Sequence, residues 1–135
     1  MTILHPKDWP RPRGYAAGVA AQGTTVYVSG QVGWDETGRF VSEEFAAQVR
    51  QALLNVVAVL AEAGARPEHI VRMTWYVTSR TEYLESGAAT GAAYREIVGR
   101  HFPAMSVVEV KALVEESAKV EIEVTAVLPI GEPTP

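Results

Sequence analysis

The chain has 135 residues, 47% hydrophobic and 21% charged, with a formal charge of −4 and no cysteine. One globular domain with a buried core fits that composition, and the scattered Lys and Arg form no basic stripe for nucleic acid. Disulfides, iron–sulfur clusters, thiolate catalysis and cysteine-based zinc sites are excluded, and a reducing cytoplasm is the expected location.

Residues 1–14 read as an extended arm, because Pro6, Pro10 and Pro12 forbid a helix there. The start has neither a basic region nor a long apolar run, so no signal peptide is expected. In "YAAGVAAQGTTVYVSG" two short strands flank Gln22-Gly23, read as a hairpin turn. Val26 and Val28 take one face of the second strand, Tyr27 and Ser29 the other. "GQVGWDETGRF" is a loop that turns from Asp35 to Gly38.

From Ser42 to Ala63, Phe45, Val49, Leu53, Val56, Val57 and Leu60 recur at helical spacing. Ser42 is placed to cap that helix and Gly64 to stop it. Gln48, Arg50, Gln51 and Asn55 interrupt it too often for a membrane span. "HIVRMTWYVTS" alternates as a strand, with Met73, Trp75 and Val77 on one face and Arg72, Thr74 and Tyr76 on the other. A second helix is predicted from about Tyr83 to Gly99, weakened by Gly87 and Gly91. "MSVVEVKAL" and "AKVEIEVTAVL" follow as strands joined by a Glu-Glu-Ser turn, and residues 129–135 form a tail.

The order β-β-α-β-α-β-β over a single domain, 1–135, predicts an α+β sandwich with two helices covering one sheet face. The other face is expected to carry Val, Ile and Trp, which would stay wet in a monomer, so a symmetric oligomer is expected.

His5, His69 and His101 show no metal-ligand spacing and read as surface or loop histidines, so no metal site is predicted. Ser29 lies in "VSGQ" without a Gly-x-Ser-x-Gly elbow and reads as a pocket hydroxyl ahead of a nucleophile. The glycines of "SGQVGWDETG" make no phosphate-binding fingerprint. Glu121 and Glu123 share one strand face. They belong either to a solvated sheet or, for one of them, to a cleft where burial raises the pKa and lets the group hold a water. Glu109 has the same two readings. Tyr15 either lids a pocket or packs as an ordinary amphipathic side chain.

Together, "RGYAAGV", "VYVSGQVGWDETG", "AAQVRQALLNVVAVLAEAGA", "HIVRMTWYVTS", "FPAMSVVEV" and "KVEIEVTAV" resemble the Rid family, also called YjgF/YER057c/UK114, from about residue 13 to residue 128. The resemblance implies a chorismate-mutase-like fold and a homotrimer with three inter-subunit clefts. Its deaminase members hydrolyse 2-imino acids or their enamine tautomers to 2-keto acids and ammonia without a cofactor. Carried over, the pocket tyrosine is Tyr15, the serine Ser29 and the water-holding glutamate Glu121. The carboxylate-gripping arginine does not carry over: where deaminase members read Pro-Ala-Arg-Ser, this chain reads Pro103-Ala104-Met105-Ser106. A frequent family cysteine is Val107 here, and a common asparagine is Gly91.

Met105 offers polarizable bulk in place of a forked charged donor, so an apolar or uncharged group is expected against it. Arg13, on the arm before Tyr15, is a candidate to supply the missing charge, against the reading of a solvated arginine; Arg72 is a weaker one. The implied function is cofactor-free hydrolysis or deamination of a small imine, enamine or related metabolite. A non-catalytic small-ligand-binding or chaperone-like trimer is the alternative, and an endoribonuclease or translation inhibitor a third reading. No nucleic-acid or membrane partner is expected.

Overall fold

A computed structural model of the chain describes residues 1–131, so the end of the 129–135 tail lies outside the described residues. The first residues form a strand: β1 (Thr2–Leu4) pairs antiparallel with β2 (Gly18–Ala20) and ties the proline-rich arm back on itself. The hairpin read at Gln22-Gly23 is therefore corrected, because β2 pairs with β1 and β3 (Thr24–Gln31) pairs with the last strand, β6 (Val120–Leu128). Gly23 permits the close approach to β6. Its φ is +146°, and a Cβ there would stand 2.0 Å from the Leu128 carbonyl oxygen, so only glycine lets the chain pass so close to the end of β6.

The main sheet has the order β3-β6-β4-β5, with β4 spanning Ile70–Val77 and β5 Ala104–Glu109. β6 runs antiparallel to both neighbours, while β4 and β5 are parallel. The last two strands are thus separated by β4. The arm reaches the β5 edge, where the Ala16 N–H donates to the Pro103 carbonyl at 2.9 Å.

α1 (Phe45–Glu62) starts later than Ser42, whose hydroxyl accepts the Glu44 N–H at 2.9 Å in a local turn and does not cap the helix. Its end is as read. Gly64 is left-handed at φ +74°, and the Gly64 and Ala65 N–H groups close on Ala61 and Leu60, both at 3.0 Å. The α1 stripe packs on Ile70, Met73, Trp75 and Val77 of β4 and on Val120, Ile122, Val124 and Ala126 of β6, all buried. Each large side chain so buried stabilises by about 1.5–3 kcal/mol. Gln48 is buried among them because its amide donates to the Ser42 and Ser117 carbonyls, at 2.9 and 3.0 Å, and accepts the Lys119 N–H at 2.8 Å.

The single second helix is corrected to two, α2 (Arg80–Glu85) and α3 (Gly87–Ile97). They break at Ser86, whose hydroxyl bonds back to the Tyr83 carbonyl at 3.1 Å just before a glycine. Ser79 caps α2 through the Glu82 N–H, and the Glu109 carboxylate accepts the Arg80 N–H at 2.7 Å. Glu109 is therefore engaged as a helix cap.

The expected apolar second face is also corrected. Trp75, Ile122 and the alternating valines point beneath the helices. With a side-chain period of two, the open face is mostly polar, with Tyr27, Ser29, Arg72, Thr74, Tyr76, Glu121 and Glu123, and Val108 as an exposed apolar residue. Among the described residues, no helix is long and apolar enough to cross a membrane.

Candidate functional site

The parallel edge of the sheet and the α2–α3 pair enclose a cleft of about 470 Å³. Parallel pairing sets Met105 opposite the fully buried Met73, so Met105 points to the helix side and packs against the core at the cleft wall. Tyr83 meets Trp75 and Phe45 edge-on, with ring centroids 6.2 Å apart in each pair. Tyr94 stacks on Phe102 at 5.8 Å, and its hydroxyl donates to the His101 carbonyl. Burial pushes the Tyr94 phenol well above its usual pKa, which keeps it neutral. Trp75, Tyr83, Tyr94, Phe102 and Met105 thus make an apolar, aromatic wall, with Gly14, Gly87, Gly91 and Arg95 also lining the cleft. The Trp75 indole N–H is buried with no acceptor among the described residues.

Of the candidate site residues Tyr15, Ser29, Met105, Glu121 and Arg13, Met105 alone lines this cleft, together with Gly91, where the family commonly has an asparagine. Tyr15 is exposed and borders a separate depression of about 380 Å³ with Arg11, Arg100 and Phe102; Phe102 is common to both. Arg13 is exposed and lines neither depression. Ser29 lies on the open sheet face in a depression of about 520 Å³ with Tyr27, Arg72 and Glu123. Its hydroxyl accepts a bond from Gln31 Nε2 at 3.3 Å.

Glu121 is half-buried on that same open face, beside a bulge between Val28 and Gln31. The bulge lays Gly30 against it so closely that a Cβ at Gly30 would stand 2.4 Å from Glu121 Oε2. The two glutamates are now distinct. Glu123 accepts the Tyr76 hydroxyl at 2.6 Å, a bond that raises the Tyr76 pKa, whereas the Glu121 carboxylate makes no hydrogen bond to another described residue. One chain therefore brings Ser29 and Glu121 to the open face and Met105 to the helix side, without joining them.

His69 is buried, which corrects its reading as a surface residue: its Nδ1 accepts the Arg66 N–H at 2.9 Å. The His101 ring bonds the Ile70 carbonyl at 2.6 Å, also a structural contact. Among the described residues, no three His, Cys, Asp or Glu side chains gather to hold a metal ion.

The aromatic wall and Arg95 were missed in the sequence. A signal was there: Gly87, Gly91 and Arg95 recur every four residues, one strip of a helix.

The sheet order, the helices on one face and the cleft at the parallel edge define a chorismate-mutase-like α+β protein with a cavity of small-molecule size. A family model described as Endoribonuclease L-PSP matches residues 9–128, and the chain belongs to that family, the Rid or YjgF family. A RutC family protein of Aquifex aeolicus is 38% identical over 120 residues, covering 87% of this chain and 92% of its own. A 2-iminobutanoate/2-iminopropanoate deaminase of Salmonella typhimurium is 37% identical over 108 residues, covering 78% and 80%. The crystal structure of the Rid protein YyfB from Yersinia pestis superposes with a TM-score of 0.81 at 32% identity, over 94% of this chain and 98% of that one.

Proposed function

We propose that the protein is a cofactor-free hydrolase of a small imine, enamine or related metabolite, acting in the cytoplasm as a homotrimer with its sites between subunits. The observation that carries this reading is Glu121: its carboxylate is wedged against Gly30 yet bonded to no described residue, while neighbouring Glu123 is engaged by Tyr76. A carboxylate without a protein partner is suited to hold a water and take its proton. The water adds to the carbon of the C=N bond while Glu121 accepts its proton and returns it to nitrogen. The carbinolamine then collapses, its hydroxyl proton passing through Glu121 to the nitrogen as the C–N bond breaks, to give a carbonyl and ammonia. Ser29 and Tyr15 shape the pocket.

Ser29 and Glu121 lie on the open face and Met105 on the helix side, so a composite site needs a second copy to join them. That supports the trimer. Relatives that carry the name 2-iminobutanoate/2-iminopropanoate deaminase support the reaction class. The endoribonuclease of the family description is not carried over: the formal charge is −4, and one cation, Arg95, is among the residues lining the aromatic cleft.

Met105 favours a second reading, a non-catalytic small-ligand-binding or chaperone-like trimer, because a thioether cannot grip a carboxylate as a guanidinium does. Hydrolysis of freshly generated 2-iminobutanoate, followed by semicarbazide trapping, separates the two, with Met105→Arg and Glu121→Gln alongside. Turnover by the native chain, lost in Glu121→Gln, is the expected result. Activity in Met105→Arg alone would show a competent scaffold whose natural substrate lacks that carboxylate. If none is active and ligands only raise the Tm, the binding protein takes its place.

A further inference from the structure

We infer that Arg95 is the anion anchor of the aromatic cleft, and that the cleft takes a bulky aromatic carboxylate, its ring against Trp75, Tyr83 and Phe102 and its charge on the Arg95 guanidinium. The inference deepens the hydrolase reading and rests on it for the reaction, though not for binding.

The first observation is geometric. Gly87, Gly91 and Arg95 form one strip of α3 and all line the cleft. Arg95 Nη1 lies 3.3 Å from the position a Cβ on Gly91 would take. The guanidinium is therefore folded back along bare glycine backbone beside the cleft. Two glycines inside a helix weaken it relative to alanine, and here they leave the slot in which the arginine lies.

The second is electrostatic. Three and four residues from Arg95 stand Gly91, Ala92, Val98 and Gly99, none of them acidic. Adjacent Glu96 is paired with Arg50 at 2.9 Å, and no described residue forms an ion pair or hydrogen bond with Arg95. A forked donor without a counter-charge at the mouth of an apolar cavity matches a planar carboxylate.

The third observation is an unpaired donor in the cleft wall. Trp75 is 2% exposed and borders the cleft, yet its indole N–H has no acceptor among the described residues. Buried donors are nearly always paired, so a side-chain shift at the cleft wall that lets a ligand carbonyl or imine nitrogen reach this N–H would satisfy it. The cavity, about 470 Å³, exceeds what a three-carbon acid fills. Arg13 and Arg72 are displaced as anchors: Arg13, on the arm, does not line the cleft, and Arg72 lies on the opposite sheet face.

Calorimetric titration of the full chain with phenylpyruvate, phenylacetone and pyruvate tests this. Phenylpyruvate keeps ring and carboxylate, phenylacetone lacks the carboxylate, and pyruvate lacks the ring. Phenylpyruvate should bind tightest and shift the Trp75 indole N–H resonance. Arg95→Gln should weaken it by about tenfold or more, leaving phenylacetone affinity and the Tm unchanged. Equal phenylpyruvate affinity in Arg95→Gln, pyruvate binding as tight as phenylpyruvate, or no phenylpyruvate binding at millimolar concentration would each overturn it. Binding is read without turnover. Arg95-dependent binding without imine hydrolysis sinks the hydrolase reading alone; hydrolysis with Arg95-independent binding sinks this inference alone.

Discussion

Replacing Gln48 by leucine tests whether a buried polar clamp sets up the strand that carries Glu121. Gln48 is fully buried and makes three hydrogen bonds, to the Ser42 carbonyl, the Ser117 carbonyl and the Lys119 N–H, at 2.9, 3.0 and 2.8 Å. Leucine has a similar volume and leaves all three partners unpaired. Ser117 is exposed, so its carbonyl rehydrates, but Ser42 and Lys119 are half-buried. Two groups left dry at about 1–3 kcal/mol each, less about 1 kcal/mol from the added apolar burial, give a net loss centred on about 3 kcal/mol. With a urea m-value of about 2 kcal/mol/M, the unfolding midpoint should fall by about 1.5 M. The titration is run at one protein concentration, because subunit association would shift the midpoint too. Gln48→Glu is the control: it keeps the acceptor for Lys119 but sets a carboxylate against two carbonyls. It should lose more at pH 7 and recover part of the loss in acid, where the protonated group donates again. A midpoint shift below about 0.3 M in Gln48→Leu would refute the reasoning, since an unpaired buried N–H alone should exceed that.

Three further outcomes are expected. Gly30→Ala puts a Cβ 2.4, 2.6 and 2.8 Å from Glu121 Oε2, Cδ and Cγ, so the carboxylate must swing away. Turnover in the imine-trapping assay should drop by at least about tenfold, as in Glu121→Gln, with an unchanged circular dichroism spectrum. Gly91→Ala meets only the flexible Arg95 Nη1 at 3.3 Å, so helix propensity should raise stability by up to about 1 kcal/mol in urea while phenylpyruvate binding weakens. Asp35 accepts bonds from the Thr37 hydroxyl and from the Thr37 and Arg39 N–H groups, chiefly the first, and these hold its pKa below 3.8. A depressed carboxylate stabilises above its unfolded pKa and loses that stabilisation as pH falls through the folded one. The Tm gap between native chain and Asp35→Ala should therefore be largest above pH 3.8 and narrow below it; a gap independent of pH would contradict that.

Local pattern was legible, and pairing was not. The alternation of Met73, Trp75 and Val77 and the stripe of α1 follow from fixed periods of two and 3.6 residues; the strand face and Phe45, Val49, Leu53, Val56 and Leu60 are buried as expected, while Val57 is half-buried outside the core. Which strand pairs with which is a long-range matter. Nothing local to Gln22-Gly23 says that β2 turns to the arm, and nothing between β5 and β6 says that β4 lies between them. The same limit hid Gln48, a break in an apolar stripe until its partners 6, 69 and 71 residues away are known.

The two glutamates show how far a site depends on such distant partners. Glu121 and Glu123 have the same side chain, strand and face, so no reading of "VEIEV" can separate them. Tyr76 lies directly across from Glu121 in the ladder, yet its hydroxyl passes that neighbour and bonds Glu123, which is paired with Thr74. A phenol is long enough for such a diagonal contact. On the other side of β6 the bulge in β3 presses Gly30, the one residue type without a side chain, against Glu121. One neighbouring strand thus occupies Glu123, while the other lies against Glu121 without bonding it. The unbonded carboxylate that the proposed water activation needs thus arises from a diagonal tyrosine and a missing Cβ, two features of pairing rather than of composition.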